Sequence, residues 1–199
     1  MSLHLEALVD AIVAGDNDAV SRLLAVDPAL ANATWETDRL IGALTHYMYG
    51  GDTALHAIAA AYRAALVPEL LARGADVRAR NRRGAEPLHY AADGYQDSPL
   101  WNPSAQAATI EALVTAGADP NALDKSGVAP LHRAVRTRCA AAVAALLDAG
   151  ADPHLPNKSG SVALDLATRT TGRGGSGKPA AKEQQEEIVR VLSQYGAGS

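Results

Sequence analysis

The chain has 199 residues, 48% of them hydrophobic and 20% charged, with a formal net charge of −4. That length and apolar content can bury a continuous core, which favours one elongated domain over two compact ones, while the acidic balance excludes nonspecific nucleic-acid binding through global charge. A single cysteine, Cys139, excludes an internal disulfide, and with no signal-like or membrane-spanning N-terminal stretch the default expectation is a reducing cytoplasm and no membrane contact.

Leu5, Leu8, Val9, Ile12 and Val13 recur at helical spacing and predict a helix over 3–14; Gly15-Asp16-Asn17 stops it and caps a second over 17–26, which Asp27-Pro28 closes. Residues 32–51, with Trp35, His46, Tyr47 and Tyr49, break the pattern and read as an insertion. Thr53 then caps an inner helix over 54–60, followed by an outer helix over 67–73 that admits Pro68 in its first turn. Further pairs are predicted at 87–93 and 107–116, 130–136 and 140–148, and 163–169 and 182–194. Asn81 to Gly84, Asp124 to Gly127 and Asn157 to Gly160 each place Asn or Asp first and Gly fourth, as a type I turn prefers.

Pro87-Leu88-His89 returns as Pro130-Leu131-His132, with weaker copies at Ala54-Leu55-His56 and Ala163-Leu164-Asp165. The four leucines are separated by 33, 43 and 33 residues, and Gly74, Gly117, Gly150 and Gly196 by 43, 33 and 46, so a period of 33 is interrupted by insertions of 10 and 13. That period with this Leu-His signature resembles the ankyrin repeat; the stretch from Leu131-His132-Arg133-Ala134 to Gly150-Ala151-Asp152-Pro153 is the fullest copy. The resemblance runs from about Val9 to Gly196 and implies an all-α solenoid of stacked helix pairs with β-turn fingers. Its Ala- and Arg-rich composition suits a bacterial-type member with insertions between inner and outer helices. Aromatics at 4% and the absence of Phe fit thin layers packed through Ala and Leu. One domain over 1–199 is expected, divided into an N-terminal cap (1–31), the insertion (32–51), repeats at 52–80, 81–123 (carrying an insertion at 94–105) and 124–156, and a C-terminal cap (157–199) with an insertion at 171–182. Glu86, Ala129 and Val162 replace the family's threonine, which should weaken three helix caps by ~1 kcal/mol each.

His56, His89 and His132 recur at one structural position. The resemblance implies that each hydrogen-bonds backbone in an adjoining turn, and copies about 10 Å apart could not share one zinc at ~2 Å ligand distances. Gly172 to Lys178 matches the first seven positions of a phosphate-binding loop, but Pro179 stands where the metal-binding Ser/Thr belongs and no strand leads in. Cys139 falls at a helix packing position and reads as a buried structural thiol. No cofactor and no metal site are expected.

The residue after each histidine and the one three further on share an inner-helix face: Ala57/Ala60, Tyr90/Asp93, Arg133/Arg136 and, at the Asp165 position, Leu166/Arg169. In ankyrin arrays that face lines a concave groove. Finger residues Arg82, Arg83, Lys125 and Lys158 add positive charge, the 94–105 insertion contributes Tyr95 and Trp101, and the 32–51 insertion contributes Tyr49 and its neighbours; Arg138 joins Arg133 and Arg136 on the basic side. The resulting expectation is an adaptor that holds the acidic segment of a protein or peptide, with a small anionic ligand as a further candidate and no nucleic acid. Two rivals remain: a small-molecule binder or enzyme with a site among His46, Tyr47, Tyr49, Asp52, Tyr90, Asp93, Tyr95, Asp97 and the arginines, where carboxylate and phenol could act as acid and base, and an oligomerisation module using the outer helices.

Overall fold

The periodic apolar positions become a stack of helix pairs. The computed structural model describes residues 3–36, 38–41, 46–94, 98, 100–169 and 179–197. Its helices are α1 (Leu3–Ala14), α2 (Asn17–Val26), α3 (Ala54–Ala60), α4 (Val67–Ala72), α5 (Pro87–Ala92), α6 (Pro103–Thr115), α7 (Pro130–Thr137), α8 (Ala140–Asp148), α9 (Ala163–Thr168) and α10 (Pro179–Gln194). Inner helices α1, α3, α5, α7 and α9 pack in chain order, and outer helices α6, α8 and α10 pack behind them. The fold is therefore the all-α repeat solenoid. Leu55, Ile58, Leu88, Ile110, Leu113 and Leu146 are fully buried between layers, and the many buried alanines let the helices approach closely.

The first residue of each finger organises it. Asn81 Oδ1 accepts from the N–H groups of Arg83 and Ala85, Asp124 Oδ1 from Ser126 and Val128, and Asn157 Oδ1 from Ser159 and Ser161, all at 2.8–3.1 Å. Gly127 needs its φ of +67°, and a Cβ there would lie 2.7 Å from Lys158 Cγ. Successive fingers are tied by Arg82 N–H to Gly50 C=O (2.8 Å) and Lys125 N–H to Arg83 C=O (2.9 Å).

The three histidines take the structural role. Nδ1 of His56, His89 and His132 accepts the backbone N–H of Thr53, Glu86 and Ala129 at 3.0–3.1 Å. Nε2 must then carry the proton, and it donates to the carbonyls of Ala85, Val128 and Leu155 in the next finger at 3.0–3.1 Å. Each imidazole thus staples a helix start to the following repeat. Asp165 Oδ2 accepts Val162 N–H in the same way (3.0 Å) but has no proton to pass on.

Several expectations need correction. Thr53 Oγ1 lies 3.1 Å from His56 Nδ1, and where Glu86, Ala129 and Val162 replace the threonine the cap residue's own N–H is still accepted by His89, His132 and Asp165. Helix α6 begins at Pro103 rather than 107: Asn102 accepts Ala105 N–H (3.1 Å) and Pro103 supplies a pre-set first turn. Helix α10 likewise begins at Pro179 rather than 182. The 32–51 insertion contains a short antiparallel pair, β1 (Arg39–Ile41) and β2 (His46–Met48), with Leu40 opposite Tyr47. The phosphate-loop-like segment 172–178, together with Tyr95 and Asp97, lies outside the described residues.

Candidate functional site

Residue Asp52, just before α3, anchors one side of the concave face. It is fully buried and accepts from Tyr49 N–H (2.6 Å), Asn81 Nδ2 (2.8 Å) and Tyr90 Oη (2.7 Å). Tyr90 also receives an Asn81 Nδ2–H (3.1 Å) and packs edge-on to His56 with ring centroids 5.1 Å apart. Burial, reinforced by the Asp52 charge, pushes the Tyr90 phenol far above its ordinary pKa, and burial holds His56 below its own. These groups are locked as a neutral phenol and a neutral imidazole around one carboxylate whose oxygens are already engaged. That geometry builds scaffold and leaves no free acid or base aimed outward.

Above the network lies a concave pocket of about 370 Å³, lined chiefly by Tyr47 and Tyr49 from the insertion, Arg83 from the first finger, Tyr90 and Asp93 at the end of α5, and Arg133 and Arg136 on α7. Tyr47 and Tyr49 stack with centroids 6.2 Å apart, and the guanidinium of Arg83 sits 4.7 Å from the Tyr49 ring centroid, a cation–π contact. Arg133 Nη2 donates to Asp124 Oδ2 at 3.0 Å, and its Nη1 lies 3.8 Å from Asp93 Oδ2. Although burial opposes it, donors from Val128, Arg133 and Ser126 hold the Asp124 carboxyl below its usual pKa. Neither Arg83 nor Arg136 has a carboxylate partner among the described residues.

The pocket thus brings together Tyr49, Arg83, Tyr90, Asp93, Arg133 and Arg136 from the sequence reading. Other named residues lie elsewhere. Arg82 pairs with Asp38 and lies 5.6 Å from the Tyr49 ring centroid; Lys125 Nζ donates to the Arg82 carbonyl (2.8 Å); Lys158 Nζ donates to the Lys125 carbonyl. Arg169 reaches Ser161 Oγ (2.9 Å), and Trp101 is half-buried and packs against the core. Arg138 is not on the basic side of this pocket: it turns at φ +58° and is buried, with its guanidinium toward the Ala181 and Arg169 carbonyls. Cys139 is fully buried and burial raises its thiol pKa, as a structural thiol requires. Sequence reasoning missed Asp124 as the partner of Arg133, since its place at the head of a finger already accounted for it. Among the described residues no group of three or more His, Cys, Asp and Glu side chains is placed to hold a metal ion, and no helix is long and apolar enough to cross a membrane.

A family model for ankyrin repeats (many copies) matches residues 113–167, and one for a single ankyrin repeat matches residues 50–82. No curated protein matches the chain. Ankyrin repeats generally mediate protein–protein interaction. The matched segments cover the repeats at both ends of the pocket, the helix pairs alternate with fingers at the same period, and the chain carries ankyrin repeats.

Proposed function

We propose that the concave pocket holds an extended segment of a partner protein through an acidic side chain. One observation carries the reading: Arg83 and Arg136 line the pocket and neither is paired with a carboxylate among the described residues, while Arg133 beside them is already held by Asp124 and Asp93. A carboxylate entering between Arg83 and Arg136 would complete their charge, with bidentate donors on offer from each guanidinium. The exposed side chains of Tyr47 and the neighbouring Leu40 supply an apolar lip for the residue next to it. Three arginines against two aspartates leave the pocket with a net charge of +1, suited to one carboxylate. Of the rival acid–base candidates, Asp52 is consumed by three donors below the pocket.

Selection of a random peptide display library on the immobilised chain tests the proposal. Recovered peptides should share an Asp or Glu beside an aromatic or aliphatic residue, and an Arg83→Glu, Arg136→Glu variant should recover none of them. Enrichment without an acidic position, or equal recovery on the variant, would refute it.

A further inference from the structure

The two ends of the stack have opposite characters. At the α10 end the outermost helix exposes Lys182, Glu183, Glu186 and Arg190, a solvated surface. At the other end, the α1–α2 face away from α3 holds an apolar groove of about 380 Å³ floored by Ala7, Ala11, Ala19, Leu23 and Val26. Leu3 and Val26 on this end are 81% and 80% exposed. Both helices therefore carry two apolar stripes: Leu5, Leu8 and Ile12 on α1, with Val20 and Leu24 on α2, enter the core, and the groove residues recur at helical spacing on the open side. An end face meeting only water should be polar, as α10 is.

We propose that this face joins a second copy of the chain about a twofold axis, with α1 and α2 of each copy packed on those of the other. A head-to-tail neighbour would set the charged α10 end against the groove, whereas a twofold neighbour sets the same apolar groove of another copy against it. Charge complementarity fixes the arrangement. Asp10 on the α1 rim and Arg22 on the α2 rim are exposed, and neither side chain has a partner among the described residues. Asp10 lies four residues before the end of α1 at Ala14, and Arg22 five after the start of α2 at Asn17. At a helical rise of about 1.5 Å per residue the two stand at nearly one level above the connecting turn. A twofold axis parallel to the helices then lays α1 of each copy over α2 of the other and forms two Asp10–Arg22 pairs, an isologous contact that closes at two. The apolar floor supplies the attraction and the pairs set the register.

Sedimentation equilibrium of the 199-residue chain tests this without any ligand for the pocket. The weight-average mass should rise from one chain toward two as concentration reaches about 100 µM and stop there. Val26→Glu, at an exposed position, should keep the mass at one chain with an unchanged circular dichroism spectrum. Asp10→Arg and Arg22→Asp should each weaken association at least several-fold, and the double exchange should restore it. A single-chain mass at every concentration, growth beyond two chains, or a double exchange no better than the single changes would overturn the proposal.

Discussion

Acid should weaken this array through its buried imidazoles, and His89 gives the size of the effect. Its side chain is fully buried, with Nε2 donating to the Val128 carbonyl and Nδ1 accepting the Glu86 N–H. That arrangement needs the neutral ring. Burial, aided by the positive charge of Arg133, brings its pKa down from 6.5 to about 3. Unfolding restores the ordinary value, so below pH 6.5 the unfolded chain binds a proton that the folded chain refuses. Stability is then fully present above pH 6.5 and falls as pH drops toward the folded-state value. At about 1.36 kcal/mol per pH unit, lowering the pH from 7 to 5 costs about 2 kcal/mol through this residue alone. His56 and His132, lowered chiefly by burial as well, add losses of the same sign. Urea unfolding of the wild type and of His89→Gln at pH 7, 6 and 5 isolates the term, because the amide can approach the same carbonyl but does not titrate. The variant should start about 1–3 kcal/mol less stable, yet lose about 2 kcal/mol less than the wild type between pH 7 and 5. Equal losses in the two proteins would refute the reasoning.

Asp52→Asn should lower stability by about 1–3 kcal/mol, since an amide cannot accept from Tyr49, Asn81 and Tyr90 together; thermal unfolding with an unchanged midpoint would count against the network. Gly127→Ala should cost about 1–2 kcal/mol for its positive φ and more for its 2.7 Å approach to Lys158, whereas Gly160→Ala, with positive φ and nothing within 4 Å, should lose only the first part. A thiol reagent should modify Cys139 only at the rate of unfolding, because the side chain is fully buried and its thiol pKa raised. Rapid labelling under native conditions would place that thiol at the surface.

Helix positions were legible because packing of the inner helices repeats the same Leu and His every 33 residues, and the bounds of α3 and α8 follow directly from apolar spacing and caps. Two helix starts came earlier than expected for one reason: Pro103 and Pro179 read as loop residues in sequence, while at the first helical turn a proline loses no hydrogen bond. The β1–β2 pair was illegible because strands of three residues carry no periodic signal. The inner-helix spacing placed Tyr90, Asp93, Arg133 and Arg136 on one face, and they do line one pocket. What spacing could not tell is which arginine is spoken for. The Arg133–Asp124 pair closes between a helix and the finger before it, a contact that depends on side-chain reach rather than on sequence order.

Calorimetric titration of a selected acidic peptide into the wild-type chain and into its folded Arg83→Glu, Arg136→Glu variant tests the central claim most directly. Reversing two pocket charges should weaken binding by about 100-fold or more, with weaker wild-type binding at higher salt, while Lys158→Ala, a finger residue outside the pocket, should bind as the wild type does. Wild-type affinity in the doubly reversed variant would contradict the account and place recognition on another face of the array.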